Sequence, residues 1–106
     1  MPRRLTKSTY AIVWQYRVRR GAERRFERIY GARGAWARFF RKGRGYLGTQ
    51  LYRDVSGQRS YVTVDLWTSR AAFAAFLRRN HHQYQLIDRQ CASLTVQETK
   101  VGAWTL

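Results

Sequence analysis

The stretch VTVDLWTSRAAFAAF, residues 62–76, changes from alternating to helical periodicity at a single point, and Trp67 occupies that point. Before it, apolar and polar residues alternate with the period of two that is typical of a β-strand. After it, apolar residues recur at the spacing of one face of an α-helix. Thr68 or Ser69 can cap this helix. The stretch therefore predicts a strand that leads directly into a helix, with a tryptophan where they meet.

The same two periodicities divide the rest of the chain. A first helix begins near Glu23, and Gly31 and Gly34 are expected to break it into two pieces. The polar run RRNHHQ, residues 78–83, is expected to divide the second helix in the same way. Alternating patterns predict three further strands, at residues 8–18, 43–54 and 93–101. The predicted order is β-α-β-β-α-β.

This order is that of the ferredoxin-like plan, an α+β fold. Right-handed crossovers place both helices on one face of a four-stranded antiparallel sheet. Each strand nevertheless carries apolar residues on both of its faces, whereas a one-sided sheet should show polar residues toward water. In the second strand, strict alternation places Tyr46 and Thr49 on opposite faces. A second copy of the chain, packed sheet to sheet as a homodimer, is the expected cover for the outer face.

Length and composition support one domain. The chain has 106 residues, of which 44% are hydrophobic and 15% aromatic, enough for one layered core. Residues 1–7 are expected to form a basic N-terminal arm and residues 8–106 a single domain. The sequence shows no apolar run of membrane-spanning length and no signal-peptide pattern, so a cytoplasmic location is expected. The lone Cys91 and the lack of a Cys/His array argue against a structural metal.

The formal net charge of +15 is concentrated near the N-terminus. Residues 19–44 contain ten basic and two acidic side chains. A field of this kind attracts anions, including nucleic acid. Arginine outnumbers lysine 18 to 3, however, and such a run is more often a solvated face of the protein. Nucleic acid is therefore a possible partner that the sequence does not favour.

Three segments carry a resemblance to a known family: GYLGTQLYRD, YVTVDLWTSRAAFAAF and YQLIDRQCASLTVQETKVGAW. Together they resemble the antibiotic biosynthesis monooxygenase family, also called the dimeric α/β-barrel group, over residues 10–104. The resemblance implies a ferredoxin-like subunit whose sheet packs on that of a partner. It also implies a ligand pocket between the sheet and the helices of each subunit.

One branch of this family oxidises phenols to quinones without metal or flavin, because the substrate itself can pass an electron to oxygen. Its enzymes use an asparagine and a tryptophan four residues apart on the third strand. The matching positions here are Thr63 and Trp67, so the tryptophan is kept and the asparagine is not. A threonine hydroxyl can still donate a hydrogen bond to a substrate oxygen. The resemblance thus implies a cofactor-independent monooxygenase for a flat aromatic molecule, or a ligand binder that lacks catalysis.

Haem-degrading members of the family use an asparagine on the first strand and a tryptophan and a histidine on the second helix. Those positions correspond to Trp14, Phe76 and Leu86, and none of the three family residues is present. His81 and His82 could serve only if the helix were shifted. Haem is therefore a minor alternative, and the expected cofactor is none.

Candidate site residues follow from the strand faces and the resemblance. Asp65 shares a strand face with Thr63 and Trp67, and a buried carboxylate there would have a raised pKa suited to accepting a phenolic proton. Arg89 could instead neutralise Asp65 as a structural pair. Trp67 is either a wall of the pocket or an apolar plug in the core. The candidates for binding the substrate are Trp14, Tyr16, Phe76, His82, Tyr84 and Arg89.

An RNA-binding module has the same order of elements and is a rival interpretation. Such modules stack bases on aromatic residues of the sheet. Arg59, Tyr61, Trp14 and Tyr16 could contribute to such a surface. Asp65, however, would place a negative charge on a face intended for phosphates.

Overall fold

The computed structural model describes residues 9–106, and the predicted arm at residues 1–7 lies outside them. Four strands form one antiparallel sheet in the order β2-β3-β1-β4. The strands are β1 (Tyr10–Val18), β2 (Tyr46–Arg53), β3 (Ser60–Trp67) and β4 (Thr95–Thr105). The helices are α1 (Glu23–Tyr30), α2 (Ala35–Phe40) and α3 (Arg70–Cys91), with a 3₁₀ turn at Ala92–Leu94. The predicted α+β ferredoxin-like fold is confirmed.

Both helix interruptions occur where the sequence predicts them. The first helix is divided into α1 and α2 around Gly31 and Gly34. A Cβ atom at Gly34 would lie 2.2 Å from the Ile29 carbonyl oxygen, so this close turn requires glycine. In α3, Asn80 leaves helical geometry, and its side-chain amide donates to the Phe76 carbonyl at 2.9 Å. The helix is kinked at this residue.

The strand before α3 meets the helix as predicted. Ser69 caps α3, because its hydroxyl accepts the Ala72 N–H at 3.0 Å. Trp67, the last residue of β3, is fully buried beneath the helices. The short connection between β3 and α3 therefore holds Trp67, one of the largest side chains of the core, in the protein interior.

Strand β2 differs from the prediction because its pairing with β3 is irregular. Tyr46 pairs with Trp67 and Gly48 pairs with Leu66, which leaves Leu47 as an extra residue in a β-bulge. Leu47 is 54% exposed, and the bulge brings Tyr46 and Thr49 to the same face, where their hydroxyls lie 2.6 Å apart. The prediction that these two side chains occupy opposite faces was wrong.

Strand β4 is longer than predicted and ends at Thr105 rather than near residue 101. Its additional residues extend the pairing with β1, and Trp104 pairs with Ala11. The Trp104 ring lies over Gly102, where a Cβ atom would come within 3.0 Å of the indole. The extra length adds a half-exposed aromatic ring to the sheet face that the helices do not cover.

The two faces of the sheet differ in their surroundings. The inner face packs on the helices through an aromatic core that includes Tyr16, Phe26, Tyr61 and Trp67. The outer face carries the apolar residues Ala11, Val13, Tyr52, Val62, Val64, Leu66 and Trp104. The uncovered face is therefore apolar at its centre, as the sequence indicated.

The aromatic residues that the sequence offered for base stacking do not lie on the uncovered face of the sheet. Trp14, Tyr16 and Tyr61 point toward the helices, and Tyr61 is 1% exposed. The rings that would form an RNA-binding surface are thus on the covered side.

The ten basic residues of segment 19–44 are all exposed. No helix of the described residues is long and apolar enough to cross a membrane.

Candidate active site

A cavity of about 120 Å³ lies between the inner face of the sheet and the helices, and it is open on one side. Its walls are mostly aromatic. The lining residues are Ile12, Trp14, Tyr16, Tyr30, Trp36, Phe40, Thr49, Thr63, Asp65, Phe73, Tyr84, Asp88 and Glu98. An apolar cavity of similar size, about 150 Å³, is sufficient to bind benzene in another protein. The enclosed space therefore suits a single aromatic ring.

Alternation along β1 and β3 places the polar groups of the cavity. Trp14 pairs with Thr63, and Ile12 pairs with Asp65, so these four side chains form two neighbouring rows on the inner face. Thr63 and Asp65 are two residues apart on one strand and therefore point the same way. The two rows bring a carboxylate and a hydroxyl to one wall of an otherwise aromatic cavity.

Asp65 is held by a short chain of hydroxyl groups. The Thr49 hydroxyl donates to the Asp65 carboxylate at 2.6 Å and in turn lies 2.6 Å from the Tyr46 hydroxyl. Since Thr49 donates to Asp65, the phenol of Tyr46 is the donor to Thr49. Burial raises the pKa of the Asp65 carboxyl to about 6, although the hydrogen bond from Thr49 acts to lower it. Asp65 is thus a carboxylate near neutral pH and a stronger base than an ordinary aspartate.

Thr63 presents a hydroxyl whose hydrogen-bonding capacity is not used within residues 9–106. The side chain is 3% exposed and lines the cavity, yet its Oγ1 has no hydrogen-bond partner there. Burial raises the pKa of the Tyr16 phenol, and the nearby Thr63 hydroxyl acts to lower it. The geometry between the two hydroxyl groups nevertheless falls short of a hydrogen bond. Buried polar groups are nearly always satisfied, so this hydroxyl calls for an explanation.

The structure separates the predicted site residues into two groups. Trp14, Tyr16, Thr63, Asp65 and Tyr84 line the cavity together. The other predicted residues lie elsewhere, and these are Trp67, Phe76, His82 and Arg89.

Trp67 is a core residue and does not line the cavity. Its ring is surrounded by Phe40, Tyr46, Phe73 and Phe76, with ring centroids 5.3–5.8 Å away. A Cβ atom at Gly43 would lie 2.9 Å from the indole, so the backbone also packs closely against it. The structure therefore places Trp67 as a plug between strand and helices, outside the lining of the cavity.

Replacing Trp67 with alanine is expected to lower the free energy of unfolding by about 3–5 kcal/mol, because it empties the centre of the aromatic core. Trp67→Phe should cost less, since most of the volume remains and an unpartnered indole N–H is removed. Urea unfolding of the two variants measures the difference. Ligand affinity that falls sharply in a stable Trp67→Phe protein would contradict this role.

Arg89 does not neutralise Asp65. Across the described part of the chain, the salt bridge found is between Arg53 and Glu27, 3.8 Å apart. Arg89 is exposed on α3, beyond the kink at Asn80. The hydrogen-bond partner of Asp65 is the neutral Thr49 hydroxyl instead, which leaves the carboxylate available as a base.

The residues present do not fit a haem site. His81 and His82 are exposed, and neither lines the cavity. Residues 9–106 contain no group of three or more His, Cys, Asp or Glu side chains that could hold a metal ion. A haem iron in the cavity would have no histidine ligand from this part of the chain.

Several residues that line the cavity were not among the site residues predicted from the sequence. Thr49 is hidden by the bulge in β2, which reverses its expected orientation. Glu98 is recoverable from the alternation of β4, because it pairs with Tyr16 and thus faces inward. Trp36 and Phe40 follow helical spacing and are indistinguishable from ordinary core residues in the sequence.

The comparison with known proteins agrees with this architecture. The model of the family described as antibiotic biosynthesis monooxygenase matches residues 9–84. No curated protein sequence matches the chain.

Among solved structures, SnoaB, a cofactor-independent oxygenase from Streptomyces nogalater, is similar at 26% identity, with 93% of each chain covered and a TM-score of 0.64. PA3566 from Pseudomonas aeruginosa is similar at 17% identity, and the match covers 93% of this chain and 92% of PA3566, with a TM-score of 0.65. Rv0793 from Mycobacterium tuberculosis has 19% identity, 92% coverage of both chains and a TM-score of 0.65. With its family model matched over most of its length, and with this fold, the chain belongs to the antibiotic biosynthesis monooxygenase family.

Proposed function

We propose that this protein is a cofactor-independent oxygenase that oxidises a phenol- or quinol-type small molecule in the cavity between sheet and helices. The observation that carries the proposal is the presence, on one wall, of Asp65, a partly buried carboxylate with a raised pKa, and the unpartnered hydroxyl of Thr63. The 26% identity with SnoaB over nearly the whole chain supports the same class of reaction.

Asp65 is the general base in this mechanism. It removes a proton from the ring hydroxyl, or from the activated ring carbon of the keto tautomer, and the substrate becomes an electron-rich anion. Thr49 holds the carboxylate in one orientation through its hydrogen bond. A base whose pKa is about 6 is largely ionised at neutral pH and accepts a proton more readily than a surface aspartate.

Molecular oxygen is the oxidant and the substrate anion is the reductant. The anion transfers one electron to oxygen, and the resulting radical pair combines into a carbon-bound peroxide. Protonated Asp65 returns its proton to the peroxide. Loss of the remaining C–H proton to Asp65 breaks the O–O bond, so that a ring CH₂ group and O₂ become C=O and H₂O. Asp65 finally protonates the departing hydroxide.

Thr63 stabilises negative charge on oxygen during these steps. Its hydroxyl lies in a low-dielectric aromatic surround, where a donor has a larger effect than in water. The site lacks the amide that the related oxidising enzymes are expected to have at this position, and a hydroxyl is a weaker donor to an oxyanion than such an amide. Thr63 is therefore assigned the part of an oxyanion donor of moderate strength.

Replacing Thr63 with valine is expected to lower kcat about ten- to a hundred-fold, because the isosteric side chain cannot donate a hydrogen bond. Stability should hold or improve, since a buried unpartnered hydroxyl is removed. Thr63→Ser is the matched control, because it retains the donor and should keep most of the activity. Equal rates for Thr63→Val and the parent protein would show that the hydroxyl has no role in turnover.

Oxygen consumption tests the activity itself. Purified protein is mixed with single-ring phenol or quinol substrates in an oxygen electrode, and products are checked for the added carbonyl oxygen with ¹⁸O₂. Uptake above the rate of spontaneous oxidation, lost in Asp65→Asn, is the expected result. Binding of the same compounds without oxygen uptake would instead identify a non-catalytic ligand binder, which the missing asparagine makes the main alternative.

We also propose that the protein is a homodimer that pairs through the outer face of the sheet. The apolar centre of this face is formed by Val13, Val62, Val64 and Leu66, and Trp104 beside them is 53% exposed in the single chain. Exposed apolar patches of this kind are typical of subunit interfaces. The basic residues of segment 19–44 are exposed in and around α1 and α2, away from this face, so the repulsion between two basic chains is screened by salt.

A further inference from the structure

The cavity is acidic although the chain is strongly basic. The sequence has 21 lysine and arginine residues and only six aspartate and glutamate residues. Three of these six, Asp65, Asp88 and Glu98, line the one cavity that contains the proposed site. Among the described residues that line it, none is lysine, arginine or histidine. The local charge at the site is therefore opposite in sign to the charge of the protein as a whole.

The negative charges of these three carboxylates all affect one tyrosine side chain of the cavity, that of Tyr84. Burial, together with the charges of Asp88, Asp65 and Glu98, raises the pKa of Tyr84 to about 12. Burial likewise raises the pKa of Tyr16, where Asp65 and Glu98 add to the effect. None of the three forms a salt bridge within residues 9–106. Their negative charge is thus not cancelled by a neighbouring cation of the described chain.

The carboxylates are arranged by depth. Asp88 and Glu98 are exposed, so they stand at the open side of the cavity, and the Thr95 hydroxyl donates to Glu98 at 3.0 Å. Asp65 and the unpartnered Thr63 hydroxyl occupy the inner wall. Most of the other lining residues are aromatic, including Trp14, Tyr16, Trp36 and Tyr84. Aromatic faces attract cations, and the attraction is stronger where water is displaced.

We propose that the ligand of this cavity is a phenol- or quinol-type ring that carries a protonated amine. The ring oxygen faces Thr63 and Asp65, and the ammonium group lies at the open side near Asp88 and Glu98, against the aromatic rims. The placement of the ring oxygen rests on the proposed oxygenase function. The preference for a cation rests on the charges and rings alone. An anionic ligand of the same shape is repelled by all three carboxylates.

A matched series of three ligands tests the charge preference. Tyramine is cationic, 4-ethylphenol is neutral and 3-(4-hydroxyphenyl)propanoate is anionic, while all three share the phenol ring. Dissociation constants are measured by calorimetry or ligand-observed NMR without oxygen, near neutral pH and at low salt. The dissociation constant of tyramine should be at least about tenfold lower than that of 4-ethylphenol, and the propanoate should bind most weakly. Equal or reversed affinities, or no detectable tyramine binding at millimolar concentration, would overturn the proposal.

The double variant Asp88→Asn/Glu98→Gln locates the effect. Both residues are exposed, so the substitutions should leave the fold intact, which circular dichroism checks. The advantage of tyramine over 4-ethylphenol should fall to about threefold or less. Asp54→Asn, which removes an acidic charge from the hairpin far from the cavity, is the matched control and should retain the full preference. A double variant that keeps the whole advantage would refute the assignment of the amine to these carboxylates.

The two proposals fail in different ways. Binding in the order cation, neutral, anion with no oxygen uptake would leave the charge preference standing and remove the oxygenase. Oxygen uptake with neutral or anionic phenols at rates equal to those with phenols that carry a protonated alkylamine would keep the oxygenase and refute the amine. Measuring binding and oxygen consumption on the same preparations therefore separates the outcomes.

Discussion

Replacing Asp65 with asparagine should lower oxygen uptake about 10²- to 10⁴-fold, the range expected when a general base is removed. The variant keeps the size and shape of the side chain, and its carbonyl oxygen can still accept the hydrogen bond from Thr49. Loss of activity would therefore reflect the missing base rather than a rearranged cavity.

The same substitution should stabilise the protein near pH 7.5. The folded-state pKa of Asp65 is about 6, above its ordinary value of 3.8, so ionisation in the buried site opposes folding. Its contribution to stability is largest below the unfolded pKa and is lost as the pH rises through about 6. A difference of about two pKa units corresponds to about 3 kcal/mol, an upper value because Asp65 is only partly buried.

Urea unfolding at several pH values measures this prediction. The advantage of Asp65→Asn should be present near neutral pH and shrink toward pH 4, where the parent carboxyl is protonated. Asp54→Asn is the control with the opposite expectation, since hydrogen bonds from Ser56 lower the pKa of Asp54 and favour its charged form. An Asp65→Asn protein that is inactive and also less stable at every pH would indicate a structural role.

Turnover by the parent enzyme should follow the same ionisation. The rate should be highest when Asp65 is a carboxylate and should decline as the pH falls through about 6. A rate that is unchanged down to pH 4.5 would argue against this base.

Introducing a glutamate at Val64 is the second change with a large expected effect. Val64 lies at the centre of the outer sheet face, where it pairs with Val13 and Gln50. A charge there must be desolvated if two sheets pack together, which costs several kcal/mol. Analytical ultracentrifugation should show the parent at twice the 12.6 kDa chain mass and Val64→Glu at the mass of one chain.

Val55→Glu is the matched control for this experiment. The same residue type occupies the tip of the β2–β3 hairpin and is fully exposed, so the same substitution there should leave the dimer intact. A parent protein that sediments as a single chain at micromolar concentration would contradict the proposed pairing.

The fold could be predicted because most of its elements keep one period throughout. The strict alternation of β1 and β3 placed Trp14, Tyr16, Thr63 and Asp65 on one face, and the structure has them on one wall of the cavity. Trp67 shares that face but stands at its end, where rings from α2 and α3 close over it. Alternation fixes the face of a residue but does not distinguish core from cavity along it.

The remaining errors arise where a period is broken. One extra residue in β2 turned Thr49 inward, and its local signal, Gly48 within the strand at a φ of +143°, does not show which neighbour is the extra residue. The kink at Asn80 interrupts the helical periodicity of α3. The apolar spacing of the first half of the helix therefore does not predict which way His82 and Arg89 point in the second half. Asp88 lies beyond this kink, so its place in the cavity wall could not be predicted from the spacing of the apolar residues.

The bulge at Leu47 also bears on how relatives of this protein can diverge. It supplies the hydroxyl that steadies Asp65, yet it lies in an edge strand and does not itself line the cavity. Deleting one residue there would turn Thr49 away and leave the carboxylate without its donor. A single-codon deletion at this margin of the sheet would thus raise the pKa of Asp65 and free its carboxylate to rotate, while Thr63 and Asp65 kept their places on the wall.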